Sequence, residues 1–198
     1  MGRKLRIPKV TKKSSGKAKV NSFDIKVSGS DLLDSLDANI ACSNIALMLF
    51  EGFTNEEKAK YTQIGVELNQ NSSTTTDLIF TPDVLIGGLL QLGVFKDFSK
   101  MMLEKDYERV VNRVDPKYLE EDVLPRFTKY VQNLTDEHGD IVDFKRVGYG
   151  KMTYPDGTSA YQFSGHFEFK DGYNRSYFVL TSTDKDNKHI QGYNLSGK

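Results

Sequence analysis

TSAYQFSGHFEF, residues 158–169, is the stretch whose reading decides the fold. Tyr161, Phe163, Phe167 and Phe169 fall on one side of an extended chain, with Gly165 among them. Ala160, Gln162, Ser164, His166 and Glu168 fall on the other. Successive side chains of a strand point to opposite faces, so this alternation predicts a sheet with one apolar and one wet face. Asp171-Gly172 supplies a tight turn that tolerates positive φ, and a further strand is expected from Tyr173 to Ser182. Tyr154-Pro155-Asp156-Gly157 is the matching turn upstream and makes Ile141 to Thr153 the first strand. Asp184 to Asn187 turns the chain again, and His189 to Leu195 closes the meander. Four strands end the protein, with helical cover upstream. The fold class is α+β.

At 198 residues the chain is long enough for one domain with an elaborated N-terminal half. Its longest apolar stretch, Ile45 to Phe50, is closed by Glu51 and is far too short to span a membrane. The N-terminus has charge but no apolar segment after it, so no signal peptide is read. As written, the chain is expected to stay where it is made, in the cytoplasm. The single cysteine, Cys42, excludes an internal disulfide and a cysteine-based metal cluster, and its apolar helical surroundings predict a buried thiol. Asn71, Asn133, Asn174 and Asn194 open Asn-x-Ser/Thr sequons, which without a secretory signal are expected to be incidental.

Net charge is zero but unevenly spread. Arg3, Lys4, Arg6, Lys9, Lys12, Lys13, Lys17 and Lys19 crowd the start without one acid among them, which leaves the remainder acidic. Residues 1–20 therefore read as a basic flexible arm. It is either a solvated tail or a grip on an anionic partner. No aromatic residue precedes Phe23, so the arm has no platform for stacking on bases.

Residues 21–81 read as a helix with a small hairpin. A strand is expected over Ser22 to Val27. A helix capped by Ser30 should start at Asp31 and end near Gly52, with Leu33, Leu36, Ile40, Leu47 and Phe50 on its core face. Thr54-Asn55-Glu56-Glu57 has the capping-box spacing and predicts a short helical turn. Tyr61 to Gln70 and Thr74 to Phe80 form the hairpin. Thr81-Pro82 opens an apolar helix, since proline fits its first position. Gly87, Gly88 and Gly93 inside it predict close approach to a sheet or a partner helix. A final helical region from Lys117 to about Glu137 is expected to kink or restart near Pro125.

The order of elements, the Phe98–Asp115 segment FSKMMLEKDYERVVNRVD read as one helix, and the closing NKHIQGY at 187–193 carry a resemblance. Over about residues 84–195 the chain resembles the NTF2-like superfamily of cone-shaped α+β folds, most of all its small uncharacterised bacterial members. That likeness implies an NTF2-like domain over 82–198, with helices packed on a curved four-stranded antiparallel sheet. It also implies a conical pocket lined by Tyr149, Tyr161, Phe163, Phe167 and Phe169, and a homodimer or larger assembly through the outer sheet face.

Enzymes of that superfamily of the isomerase and dehydratase types place an Asp/Tyr or Asp/His pair in the cone. Asp143 and Tyr149 share a face by their even spacing but are expected to be solvated or edge-capping residues, and His166 should point outward, so no catalytic pair is read. His138 and His189 lie apart from carboxylates at metal-ligand spacing, and no phosphate loop occurs, so no cofactor is expected. Three functions follow. The first is a non-enzymatic binding or assembly module, holding a small apolar ligand in the cone or dimerising through the sheet. The second is an isomerase or dehydratase. The third is an anchoring subunit whose arm, with Arg3, Lys4, Arg6, Lys9, Lys12 and Lys13, docks on nucleic acid or an acidic partner.

Overall fold

The computed structural model describes residues 12–15, 18–29, 34, 36–70 and 74–195. The chain divides into two compact units, residues 1–89 and 90–198. Among the described residues there are five α-helices, and none is long and apolar enough to cross a membrane.

In the first unit, strands β1 (Lys12–Ser15), β2 (Ala18–Ser28), β3 (Gln63–Gln70) and β4 (Thr74–Phe80) form one sheet in sequence order. β1 lies inside the stretch expected to be a flexible arm, pairing antiparallel with β2. Arg3, Lys4, Arg6 and Lys9 lie outside the described residues. β2 and β3 run parallel, which requires a crossover, and helices α1 (Ala38–Gly52) and α2 (Asn55–Lys60) supply it. The expected helix start at Ser30–Asp31 also lies outside the described residues. The described helix α1 is capped instead by Asp37, whose carboxylate accepts from the Asn39 and Ile40 amides, and Leu36 ahead of it is not helical. The capping box at Thr54 forms as expected, with Thr54 and Glu57 bonding reciprocally.

Ala41, Cys42, Ala46, Leu47 and Phe50 on α1 are buried, as are Ile25 on β2 and Ile64, Val66 and Leu68 on β3. Burial pushes the Cys42 thiol up to about 11, helped by the negative charges of Asp77 and Asp37. It is inert packing material at neutral pH.

The second unit holds most of α3 (Pro82–Leu103), then α4 (Tyr107–Asn112), a short 3-10 turn (Pro116–Tyr118), α5 (Val123–His138) and strands β5 (Ile141–Thr153), β6 (Ser159–Phe169), β7 (Asn174–Ser182) and β8 (Ile190–Asn194). The strands form an antiparallel meander in sequence order, within a residue or two of the expected bounds. The turns use the expected chemistry: Asp156 and Asp171 accept from the amides of Thr158 and Tyr173, and Gly157 and Gly172 take positive φ. After α4, Val114 bridges to Ile190, so the outer edge of β8 is partly covered.

Three expectations about the helices change. The Phe98–Asp115 segment is not one helix. α3 stops at Leu103, Lys105 turns left-handed (φ 58°), and the Asp106 and Lys105 amides bond back to the Met101 and Met102 carbonyls in a Schellman closure. Secondly, the last helix begins at Val123 rather than Lys117, and Pro125 sits in its first turn, where no intrahelical donor is lost. Thirdly, α3 is continuous through its glycines, and a Cβ on Gly93 would meet nothing within 4 Å. Close approach does not explain that glycine.

Candidate functional site

The inner face of β6 carries the aromatic side chains that the sequence singles out, and they are packed away from solvent. Phe163, Phe167 and Phe169 are 0–2% exposed, Tyr149 1% and Tyr161 6%. Tyr149 stacks on Tyr161 with centroids 5.7 Å apart and tilts against Phe163 at 5.3 Å. Phe167 stacks on Tyr177 at 3.9 Å, and Phe95 from α3 covers Tyr177 at 5.6 Å and Phe163 at 5.7 Å. The Tyr177 hydroxyl shares a 2.6 Å hydrogen bond with Ser99 Oγ, which also donates to the Phe95 carbonyl. Desolvation raises the pKa of Tyr149 and of Tyr177, so both phenols are neutral at physiological pH. The residues expected to line a cone are the core itself.

Asp143 and Tyr149 do not share a face. Asp143 pairs with Glu168 on the outer side of the sheet, and Tyr149 pairs with Phe163 on the inner side. Their even spacing would keep them together in a regular strand. The register slips by one residue between Arg146 and Gly148, leaving Val147 extra, and that bulge reverses the alternation. His166 points outward as expected, beside Lys145 and Ser176 in register. Partial burial there lowers its pKa and favours the neutral ring. The outer side is less wet than the alternation suggests, since Gln162, Ser164 and His166 are half-buried and Ala160 is buried.

His138 closes α5 by bonding Asp171 Oδ2 through Nδ1 at 3.0 Å and stacking on Tyr173 at 3.8 Å. This joins a helix end to a hairpin. Among the described residues no three His, Cys, Asp or Glu side chains come together as metal ligands.

An open cleft of about 410 Å³ lies elsewhere, between the first two turns of α5 and the end of β8. Val123, Arg126, Phe127 and Tyr130 form one wall, at the i, i+3, i+4, i+7 spacing that shares a helix face. Tyr193, Asn194 and Leu195 form the other. None of the aromatic residues expected to line a pocket lies in it.

Beside it the Arg175 guanidinium donates to the Leu195 carbonyl (2.6 Å), the Tyr130 hydroxyl (2.7 Å) and the Tyr173 hydroxyl (3.2 Å). Tyr130 in turn donates to the Leu195 carbonyl at 3.1 Å. The two walls are thus tied together by hydrogen bonds. At the rim Arg126 pairs with Glu120 and with Asp122.

Comparison with protein-family models, curated proteins and solved structures finds no match to this chain. The helical spacing of the α5 residues is visible in the sequence. Their meeting with Tyr193 and Leu195 is not.

Proposed function

We propose that this protein is a non-enzymatic assembly module of the NTF2-like kind, pairing with a second copy through the outer face of its β5–β8 sheet. The observation that carries this reading is the filled inner face. Phe95, Phe98, Phe163, Phe167 and Tyr177 occupy the space that a reaction chamber would need. The bulge that parts Asp143 from Tyr149 removes the pair on which an isomerase or dehydratase would depend. What such a sheet has left to offer is its other side.

That side suits a flat contact. Gly148, Ser164, Phe178 and Asn194 form one row across the four strands, and Gly150, Gln162, Leu180 and Gly192 form the next. Gly150 and Gly192 beside the half-buried Phe178 and Leu180, with Gly148 buried, leave a shallow surface without long charged side chains, which gather instead around Asp143, Lys145 and Glu168. Isologous pairing of such a patch about a two-fold axis is the commonest route to a dimer.

Light scattering coupled to gel filtration tests this reading directly. The chain should run as a dimer at micromolar concentration. Gln162→Arg, which places a long cation in the middle of the patch, should yield a folded monomer. A wild-type chain that stays monomeric at high concentration sinks the proposal.

A further inference from the structure

The cleft between α5 and β8 is open and shallow, with a volume in the range of small-molecule sites. Its lining is mostly aromatic and aliphatic, with Phe127 and Tyr193 in edge-to-face contact at 5.1 Å. These rings are held rigidly. Tyr107 packs against the back of Phe127, Phe98 packs against Tyr193, and Arg175 pins both Tyr130 and the Leu195 carbonyl. Walls fixed in advance lose little entropy when a ligand arrives.

The polar groups indicate the sign of that ligand's charge. Among the described residues Arg175 hydrogen-bonds three neutral oxygens, two of them on Tyr130 and Leu195 of the cleft lining, so a cation that no carboxylate among these partners neutralises adjoins the cleft. Arg126 stands at the mouth. Its partners Glu120 and Asp122 have side chains 72% and 67% exposed, and ion pairs in that setting are weak and exchangeable. Tyr193 offers a hydroxyl that burial keeps protonated, with the Arg126 charge acting on it. A guanidinium is a planar fork that fits a carboxylate at two points, and a phenol can add a third donor.

We infer that this cleft binds a planar aromatic monocarboxylate, its ring between Phe127, Tyr130 and Tyr193 and its carboxylate on Arg126 and the Tyr193 hydroxyl. The site lies within one chain and shares only Asn194 with the sheet face proposed for assembly; ligand titration and oligomeric state are read separately, so either proposal can fail without the other.

The test is titration of the full chain with 2-naphthoate, followed by tyrosine fluorescence and by calorimetry, with 2-naphthamide and 2-naphthylmethylammonium as neutral and cationic controls. Naphthoate should bind at least tenfold more tightly than either control. Arg126→Gln, at an exposed position that should not disturb folding, should weaken naphthoate about tenfold and leave the amide unchanged. Tyr193→Phe should weaken it severalfold. Glu120→Gln should strengthen it severalfold by freeing Arg126, a gain that a merely structural role for that carboxylate would not produce. Absence of naphthoate binding at millimolar concentration, equal binding of the three probes, or indifference to Arg126→Gln each overturns the assignment.

Discussion

Gly165 on β6 lies directly opposite Tyr177 on β7, and the Tyr177 ring occupies the space that a side chain at 165 would fill. A Cβ built on Gly165 would sit 2.7 Å from two ring carbons and 2.8 Å from the hydroxyl oxygen. That vacancy lets Tyr177 lie flat against Phe167, 7° from parallel, and reach Ser99 on α3. One missing methyl group thus joins strand pairing, ring stacking and a buried polar contact between α3 and the inner sheet face.

Gly165→Ala should therefore be disproportionately costly for so small a change. Tyr177 is 3% exposed and its hydroxyl is held, so the ring cannot swing clear without breaking the Ser99 bond. A loss of about 1–3 kcal/mol is expected, as for other overpacked cores. Urea denaturation of the variant checks this, and an unchanged midpoint contradicts it.

The Ser99–Tyr177 pair is asymmetric. Tyr177→Phe leaves Ser99 Oγ bonded to the Phe95 carbonyl and should cost about 1 kcal/mol. Ser99→Ala takes the hydrogen-bond partner from a buried phenol and should cost about 1–3 kcal/mol. The second variant should be the less stable of the two when their unfolding curves are compared. The reverse order would mean that water enters to replace the serine.

Alkaline pH should weaken this fold through its buried phenols. Desolvation raises the pKa of Tyr149 and of Tyr177 in the folded chain, whereas an unfolded tyrosine titrates near 10. Above that point the unfolded chain has released protons that the folded chain still holds, so stability falls as pH rises. Each phenol should contribute a loss of about 1.4 kcal/mol per pH unit above roughly pH 10. Urea midpoints between pH 9 and 11 measure the slope, and Tyr177→Phe should reduce it by one residue's share. A variant with the wild-type slope refutes the assignment.

Lys105 marks a place where the chain tolerates strain. It holds φ 58°, a conformation that costs a residue with a side chain roughly 1–2 kcal/mol. Its exposed ion pair with Asp140 gives little in return. Lys105→Gly should raise the thermal midpoint by a few degrees, corresponding to about 0.5–1 kcal/mol. A lowered midpoint would show that the lysine holds the α3–α4 turn by a contact stronger than exposed ion pairs usually provide.

The sequence by itself determined the β5–β8 meander, because β6 alternates with period two and each turn carries Gly, Asp or Pro where the backbone needs it. It also determined that Phe163, Phe167 and Phe169 would face the core, and that Thr54 would cap a helix. Those are local signals, legible within about ten residues. Only the tertiary structure decided the rest. The bulge at Val147 adds one residue and shifts the alternation of β5, which sends Asp143 and Tyr149 to opposite faces. Left-handed Lys105 stands where a glycine would have announced the end of α3. The cleft joins α5 to the end of β8, and parallel β2 and β3 meet across two helices, partners far apart along the chain. Pairings at that range are chosen by which surfaces can be buried together, and no neighbouring residues record that choice.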